Sequence, residues 1–144
     1  MLQCSLTPLC EDHIKDLHRI TQDAGKFYGT RIREQISIEQ ATEVVSLSIE
    51  GRKKGTLFRF AVLLDETFVG TCNLRQVDMK NLTCDLSYII DPDHWGKGLA
   101  TQAVQLAKDF AFDELQLKHI TASALKSNPA SIKVLEKNGF AFVK

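Results

Sequence analysis

The sequence predicts a single α+β domain (α/β mixed): a central mixed, mostly antiparallel sheet flanked by helices, with one parallel strand-helix-strand unit. Three observations lead there. Residues 56–90 hold three β-rich runs separated by short polar turns. The last third of the chain alternates helical and extended apolar spacing. Between these regions stands PDHWGKGLATQ, residues 92–102, with two glycines one residue apart where an extended stretch meets an amphipathic helix.

Composition sets the outer limits. A chain of 144 residues is one domain by length, residues 1–144, and at about this size it buries roughly 68–70% of its unfolded surface without needing a staple. The 44% hydrophobic and 25% charged content is ordinary for a soluble protein. No apolar run approaches the ~20 residues of a membrane span, so no membrane partner is expected. The start, MLQCSLTPLCEDH, lacks a secretory pattern, and a cytoplasmic location is expected. A formal net charge of zero argues against a nucleic-acid partner. Cys4, Cys10, Cys72 and Cys84 show no CxxC spacing and the histidines no HExxH, so no metal site is expected. The thiols are expected to be reduced. The basic cluster Arg52-Lys53-Lys54 reads as a solvated loop.

The elements follow in order. Residues 2–6 read as a short strand, and Thr7-Pro8 with Glu11-Asp12 announces a helix carrying Ile14, Leu17 and Ile20. The glycine-bracketed run Gly25-Lys26-Phe27-Tyr28-Gly29 is either a segment that folds over a ligand or a plain connector. Ser37 with Gln40 forms a capping-box pattern for a second helix, whose expected buried face is Ile38, Ala41, Val44, Val45 and Ile49 and whose expected end is Gly51. Runs 56–64, 67–77 and 82–90, with turns at Asp65-Glu66 and residues 78–81, predict an antiparallel meander. Cys72 and Cys84 are expected near each other across its second hairpin. After the glycines, Leu99, Ala103, Leu106, Ala107 and Phe110 recur at helical spacing, and residues 119–125 read as a strand. A right-handed crossover makes that strand parallel to 82–90. Asn128-Pro129 starts the last helix, with Ile132 and Leu135 expected inside and Gly139 ending it, and a further strand is expected from Phe140.

The loop at 92–102 has the physics of an anion site. Gly96 and Gly98 permit a tight turn and close approach, the first helical N–H groups have no intrahelical acceptor, and Lys97 adds a cation. A Walker-type loop is excluded, because no window carries its spacing and Gly-Lys-Ser/Thr ending. A dinucleotide fingerprint is disfavoured, because Thr101 stands where its third glycine belongs and five residues separate the loop from its strand. A nicotinamide-binding module is disfavoured with it.

DLSYIIDPDHWGKGLATQAV followed by NPASIKVLEKNGF closely resembles the GCN5-related N-acetyltransferase (GNAT) superfamily. Within it, the chain is similar to the branch named for enzymes that acetylate the N-termini of ribosomal proteins, which also holds polyamine and other small-molecule acetyltransferases. The resemblance runs from LTPLCEDHIKDL to GFAFV and implies a GNAT-type fold, acetyl-CoA as cosubstrate and an amine acceptor, either a protein N-terminus or a small molecule. It implies that the backbone at Ile89, Ile90 and Asp91 pairs with the pantetheine arm. Trp95, Gly96, Lys97, Gly98, Leu99, Ala100 and Thr101 would hold the pyrophosphate, and Asn128 would contact the cofactor. Ser131 would lie near the thioester sulfur. Two departures stand out. Trp95 occupies the place of the family's loop Gln or Arg, while Gly98 and Ala100 match its two small positions. Leu135 occupies the place of the tyrosine that many members use to protonate the thiolate, which leaves Ser131 as the substitute candidate. Relatives continue past the Gly-Phe pair with another strand, so either a shortened form or a homodimer covering the C-terminal sheet edge is expected.

Acetyl transfer needs an uncharged amine, a polarised carbonyl and a protonated leaving thiolate. An α-amine with a pKa near 7.7–8.0 is already neutral roughly a tenth of the time at pH 7, so it needs less help than a lysine. Asp85, on the face of its strand shared with Thr83 and Ser87, is the candidate for that help, as a base or as an electrostatic guide for the ammonium. Ser131 is the candidate acid or thiol donor, or else a helix-start residue. A bulge among residues 86–90 would free a donor for the carbonyl. Tyr88 reads as core, and His94 either approaches phosphate or faces water. The alternative to an enzyme is a non-catalytic acetyl-CoA sensor or interaction domain.

Overall fold

The computed structural model describes residues 3–22, 36–124 and 126–142, so the expectation for Gly25-Lys26-Phe27-Tyr28-Gly29 lies outside the described residues. Among the described residues five strands, β1 (Ser5–Pro8), β2 (Phe58–Leu64), β3 (Thr67–Asp78), β4 (Thr83–Ile90) and β5 (His119–Ala122), form one sheet in the order β1-β2-β3-β4-β5. Three pairings are antiparallel, and β4 with β5 is parallel, in the register Thr83↔His119 to Leu86↔Ala122. This is the mixed sheet that the sequence predicts. Among the described residues four α-helices accompany the sheet: α1 (Ile14–Ile20), α2 (Ile38–Lys54), α3 (Leu99–Asp109), which continues into a π-helical turn at Phe110–Glu114, and α4 (Pro129–Lys137). None of the described helices is long and apolar enough to cross a membrane.

Both faces of the sheet are covered. One buried cluster joins Val62, Val69, Leu74, Leu86 and Ile90 to Leu99, Ala103, Val104 and Ala107 of α3. The other joins Ala61 and Phe68 to Leu17 and Ile20 of α1 and to Ala41 and Val45 of α2. β3 lies at the centre, and its residues are buried continuously from Phe68 to Leu74, as expected of a strand covered on both sides.

Local chemistry explains the boundaries. The tip between β2 and β3 places Asp65 at φ 49° and Glu66 at φ 67°, the left-handed pair that matches strand twist in a two-residue hairpin. Asp78 closes the next turn by accepting from the N–H groups of Lys80 and Asn81 at 2.9 and 3.0 Å. Ser37 and Gln40 cap α2 reciprocally, as their spacing predicts.

Several expectations are corrected. The first strand lies at Ser5–Pro8 rather than 2–6; Pro8 is accommodated because β1 is an edge strand, and helix begins at a 3-10 turn, Glu11–His13. Helix α2 does not end at Gly51 but runs to Lys54, with Gly55 as its left-handed cap at φ 74°. Gly51 is instead a contact point, since a Cβ there would stand 2.6 Å from Leu57 Cβ. The basic cluster is therefore the last turn of a helix, where cations complement the dipole. Arg52 places its guanidinium 5.1 and 5.0 Å from the Phe58 and Phe60 ring centres.

Ile38, Leu106 and Ile132 are exposed, and no residue of α4 is fully buried. The buried stripe of α2 keeps the expected Ala41 and Val45 and adds Ser48 and Gly51, which apolar periodicity does not detect. Cys72 and Cys84 are not neighbours: Cys72 faces Tyr88, four residues along β4 from Cys84, about 13 Å at strand rise. Both thiols are buried, and burial pushes them up to about 12 and about 11. The parallel strand stops at Ala122, short of 125. Residues 140–142 form no strand, and the rest of that expected strand lies outside the described residues.

Candidate active site

The sheet opens along β4. Its first half pairs with both neighbours, whereas beyond Leu86↔Ala122 the parallel register ends and only β3 remains alongside. The Asp91 N–H donates to the Val69 carbonyl at 2.7 Å. Because antiparallel pairs alternate, residues 91, 89 and 87 turn their main chain toward β3, and Leu86, Tyr88 and Ile90 turn theirs the other way. Tyr88 and Ile90 therefore present main-chain groups along an edge that β5 has left. The Trp95 indole N–H donating to the Ile90 carbonyl at 2.8 Å fits this polarity. The β3–β4 irregularity lies between Arg75 and Asp78, so the expected bulge within 86–90 is absent and the splay of β4 from β5 supplies the free edge instead.

A cavity of about 730 Å³ runs along this edge and reaches both faces of the sheet. At one end stands the N-terminus of α3. Gly98 is its N-cap at φ 76°, provides no side-chain hydrogen bond, and is followed by no acidic residue in the first turn. The first helical bond there is Gln102 N–H to the Gly98 carbonyl, so Leu99, Ala100 and Thr101 lack intrahelical acceptors. A Cβ on Gly96 or Gly98 would meet nothing within 4 Å; their positive φ values of 79° and 76° are what favour glycine. Helix dipole and free N–H groups together suit an anion.

The flanking residues have distinct positions. Asp91 is buried, accepts from the Asp93 N–H at 3.0 Å and pairs with Arg19 at 3.2 Å. Ile89 and Asp91 thus direct their main chain away from the cavity, and Tyr88 joins Ile90 on the open edge. Trp95 is half exposed, and its indole N–H engages the main chain of β4 rather than pointing at the α3 terminus. Lys97 Nζ lies 3.5 Å from His94 Nδ1.

Helix α4 forms the opposite wall. Asn128 Oδ1 accepts from the Ser131 N–H at 3.2 Å, which makes Asn128 the helix cap as well as a lining residue. Ser131 Oγ lies 2.7 Å from Tyr88 Oη, and the two hydroxyls bridge α4 and β4 across the gap. Burial raises the Tyr88 phenol above its ordinary value, so it stays protonated through the neutral range. Buried Asn138 donates to the carbonyls of Thr101 and Val134 and accepts from Lys108 Nζ, locking the end of α4 to the first turn of α3. Leu135 lines the cavity.

On the sheet face toward α1 and α2 the cavity floor is polar. Arg59, Asn73 and Ser87 are direct cross-strand partners over β2, β3 and β4. In the next row Arg75 donates to Asp85 Oδ2 at 2.6 Å, and Thr121 donates to Asp85 Oδ1 at 3.2 Å. Both Asp85 oxygens are therefore engaged. The sequence reading singled out Asp85 and Ser131 but not Tyr88, Arg59, Asn73, Arg75 or Asn138. Strand alternation alone places Arg75 and Asp85 on one face; the pairing needs the register.

Comparison with known proteins identifies the family to which this fold belongs. The family described as Acetyltransferase (GNAT) domain matches residues 4–141, and the chain belongs to it. An uncharacterized N-acetyltransferase p20 of Bacillus licheniformis is 32% identical over 105 residues, 72% of this chain and 59% of that protein. The probable N-acetyltransferase YjcK of Bacillus subtilis is 33% identical over 80% of this chain and 65% of its own length. The chain thus spans about three fifths of these relatives. Among solved structures, RimL, a ribosomal L7/L12 alpha-N-protein acetyltransferase in complex with coenzyme A, has a TM-score of 0.89 at 17% identity, covering 99% of this chain and 82% of that one. Spermidine N-acetyltransferase from Vibrio cholerae, in complex with CoA and spermine, has a TM-score of 0.84 at 22% identity, covering 99% and 83%. At these identities the likeness establishes the fold.

Proposed function

We propose that the chain transfers an acetyl group from acetyl-CoA to a primary amine, a protein N-terminal α-amine or a small amine. The observation that carries this reading is the uncapped N-terminus of α3 beside the open edge of β4 in one cavity. The N–H groups of Leu99, Ala100 and Thr101, with Gly96, Lys97 and Gly98 forming the approach, fit a diphosphate. The main chain of Tyr88 and Ile90 fits the amides of a pantetheine arm, as an added strand would. Asn128 borders the same path.

Acetyl-CoA, when bound, supplies an activated carbonyl and a thiolate leaving group. The acceptor nitrogen forms a bond to the acetyl carbon as the carbon–sulfur bond breaks; the nitrogen gives up one proton to solvent water and the sulfur takes one from the protein, whose donor is in turn reprotonated from solvent. The Tyr88–Ser131 hydroxyl pair is the proton source, because a buried, protonated phenol held at 2.7 Å by a serine is poised to donate. A main-chain N–H of the open edge polarises the carbonyl. Asp85, engaged by Arg75 and Thr121, orients the acceptor and does not remove its proton.

The test is thiol release from acetyl-CoA over a panel of amines, with calorimetric binding of acetyl-CoA alongside. Release with at least one amine supports transfer. Binding with release on none would favour a non-catalytic sensor, and absence of binding would end the reading.

A further inference from the structure

Building on the transfer reading, we propose that the acceptor carries an anionic group, a carboxylate or a phosphate, within a few bonds of its reactive amine. Asn73 Oδ1 receives the amine N–H and Arg59 receives the anion.

The geometry starts from the register. Arg59 and Asn73 face each other directly across β2 and β3, and Asn73 faces Ser87 across β3 and β4, so the three form one row on the cavity floor. Directly opposed residues hold their Cβ atoms about 4.5–5.5 Å apart. A ligand bridging this row therefore has its two recognised groups only a few bonds apart.

Two buried polar atoms in the row have no partner. Asn73 is 4% exposed; its Nδ2 donates to Ser87 Oγ at 3.1 Å, while Oδ1 accepts nothing. Arg59 Nε is likewise buried without an acceptor. Buried polar groups are nearly always satisfied, and two unsatisfied ones side by side along a cavity describe what is missing: one donor and one acceptor.

Charge identifies the acceptor of the second bond as an anion. Among the described residues, Arg75 is neutralised by Asp85 at 2.6 Å, whereas Arg59 has no carboxylate. Burial first, and the neighbouring Arg75 second, press the Arg59 guanidinium below its ordinary value. An incoming carboxylate or phosphate relieves both. A polyamine would instead bring a further ammonium against an uncompensated guanidinium, so this floor disfavours the substrates named for the spermidine acetyltransferases.

The experiment measures kcat/KM for matched acceptors: glycine against glycinamide, O-phosphoethanolamine against ethanolamine, an N-terminal Asp tripeptide against its Asn counterpart, and spermidine. The proposal expects each acidic member of at least one pair to exceed its neutral partner by about tenfold or more, and spermidine to be poor. Which pair responds distinguishes a free amino acid, a phosphorylated amine and a peptide terminus. In Arg59→Gln the ratio falls to near one while acetyl-CoA affinity stays within about twofold, and Arg59→Lys recovers part of the preference. Equal use of acidic and neutral partners by the unaltered protein, efficient acetylation of spermidine, or an unchanged ratio in Arg59→Gln would overturn it. Absence of thiol release with every amine would remove the transfer reading itself and this proposal with it.

Discussion

On the α3 and α4 side of the sheet the cavity meets main-chain N–H groups at a helix start and a pair of hydroxyls, with His94 and Lys137 also in its lining, whereas on the α1 and α2 side it meets side chains held in cross-strand rows that carry Arg59, Arg75 and Asp85. The first surface is fixed by backbone geometry: a left-handed glycine at the helix start, N–H groups that no side chain caps, and a strand edge left by its neighbour. The second is fixed by side-chain identity on a β-meander, which substitution can change without altering a single main-chain bond. Such a division suits a ligand with one constant partner and one specific partner. Under the proposed function the constant one would be held by main-chain groups, and the specific one by side chains that substitution can change.

The largest effect should come from placing charge on the backbone-built surface. Gly98→Asp and Gly98→Asn both tolerate the left-handed conformation and both can cap α3. They differ in charge where an anion is proposed to sit. Calorimetry should show the Asp variant binding acetyl-CoA about 100-fold more weakly than the Asn variant, about 2.7 kcal/mol. Thermal denaturation should show the Asp variant at least as stable. Equal affinities would mean the helix end does not hold the phosphates, and the contrast between the two surfaces would fail.

Next comes the hydroxyl bridge. Tyr88→Phe should lower kcat by about 10²-fold, within the range of a positioned acid, with KM for acetyl-CoA little changed. Ser131→Ala should lower it less. The double variant should fall no further than Tyr88→Phe, because the two act as one unit. Full additivity in steady-state rates would separate them and leave the bridge structural.

On the charged surface, Asp85→Asn should raise acceptor KM by roughly tenfold with kcat and the pH-rate profile unmoved, since both oxygens are already engaged. Loss of kcat together with loss of the pH-dependent limb would make Asp85 a base. That result would move proton transfer to the opposite side of the sheet.

Smaller effects test the scaffold that holds the surfaces apart. Gly51→Ala gains helix propensity but drives a Cβ to 2.6 Å from Leu57 Cβ, and a net loss of about 1–2 kcal/mol is expected by chemical denaturation. Smallest is the turn at Asp78. Its hydrogen bonds from Asn81 and Lys80 lower its carboxyl below the ordinary 3.8. A depressed folded value means the contribution is present above the unfolded value and disappears as pH falls through the folded one. Stability compared with Asp78→Asn should converge only below about pH 4.

The sequence makes the backbone-built surface largely legible because its determinants are local. Glycines at 96 and 98, the cap at Asn128 and the strand-helix-strand order all lie within contiguous stretches, and the structure places them around one cavity. The charged surface was less legible. Arg59, Asn73 and Arg75 are widely separated in sequence from what they face, and only the registers Arg59↔Asn73 and Arg75↔Asp85 reveal the rows. Tyr88 follows the apolar alternation of its strand, so nothing local marks the hydroxyl that reaches Ser131. Helix faces are legible in part: Ala41, Val45, Leu99, Ala103 and Ala107 are buried where the apolar period predicts. At Ile38, Leu106 and Ile132 that period continues past the end or side of the contact, while Ser48, Gly51 and Val104 join the contact from outside the predicted stripe.

The central claim, that main-chain amides at the start of α3 and along the open edge of β4 grip the cosubstrate, is tested most directly by residue-resolved amide hydrogen exchange with and without acetyl-CoA. Exchange at Leu99, Ala100, Thr101, Tyr88 and Ile90 should slow when acetyl-CoA is added, while Ile89 and Asp91, already directed toward β3, change little. Unchanged exchange at the α3 amides under saturating acetyl-CoA would contradict the account.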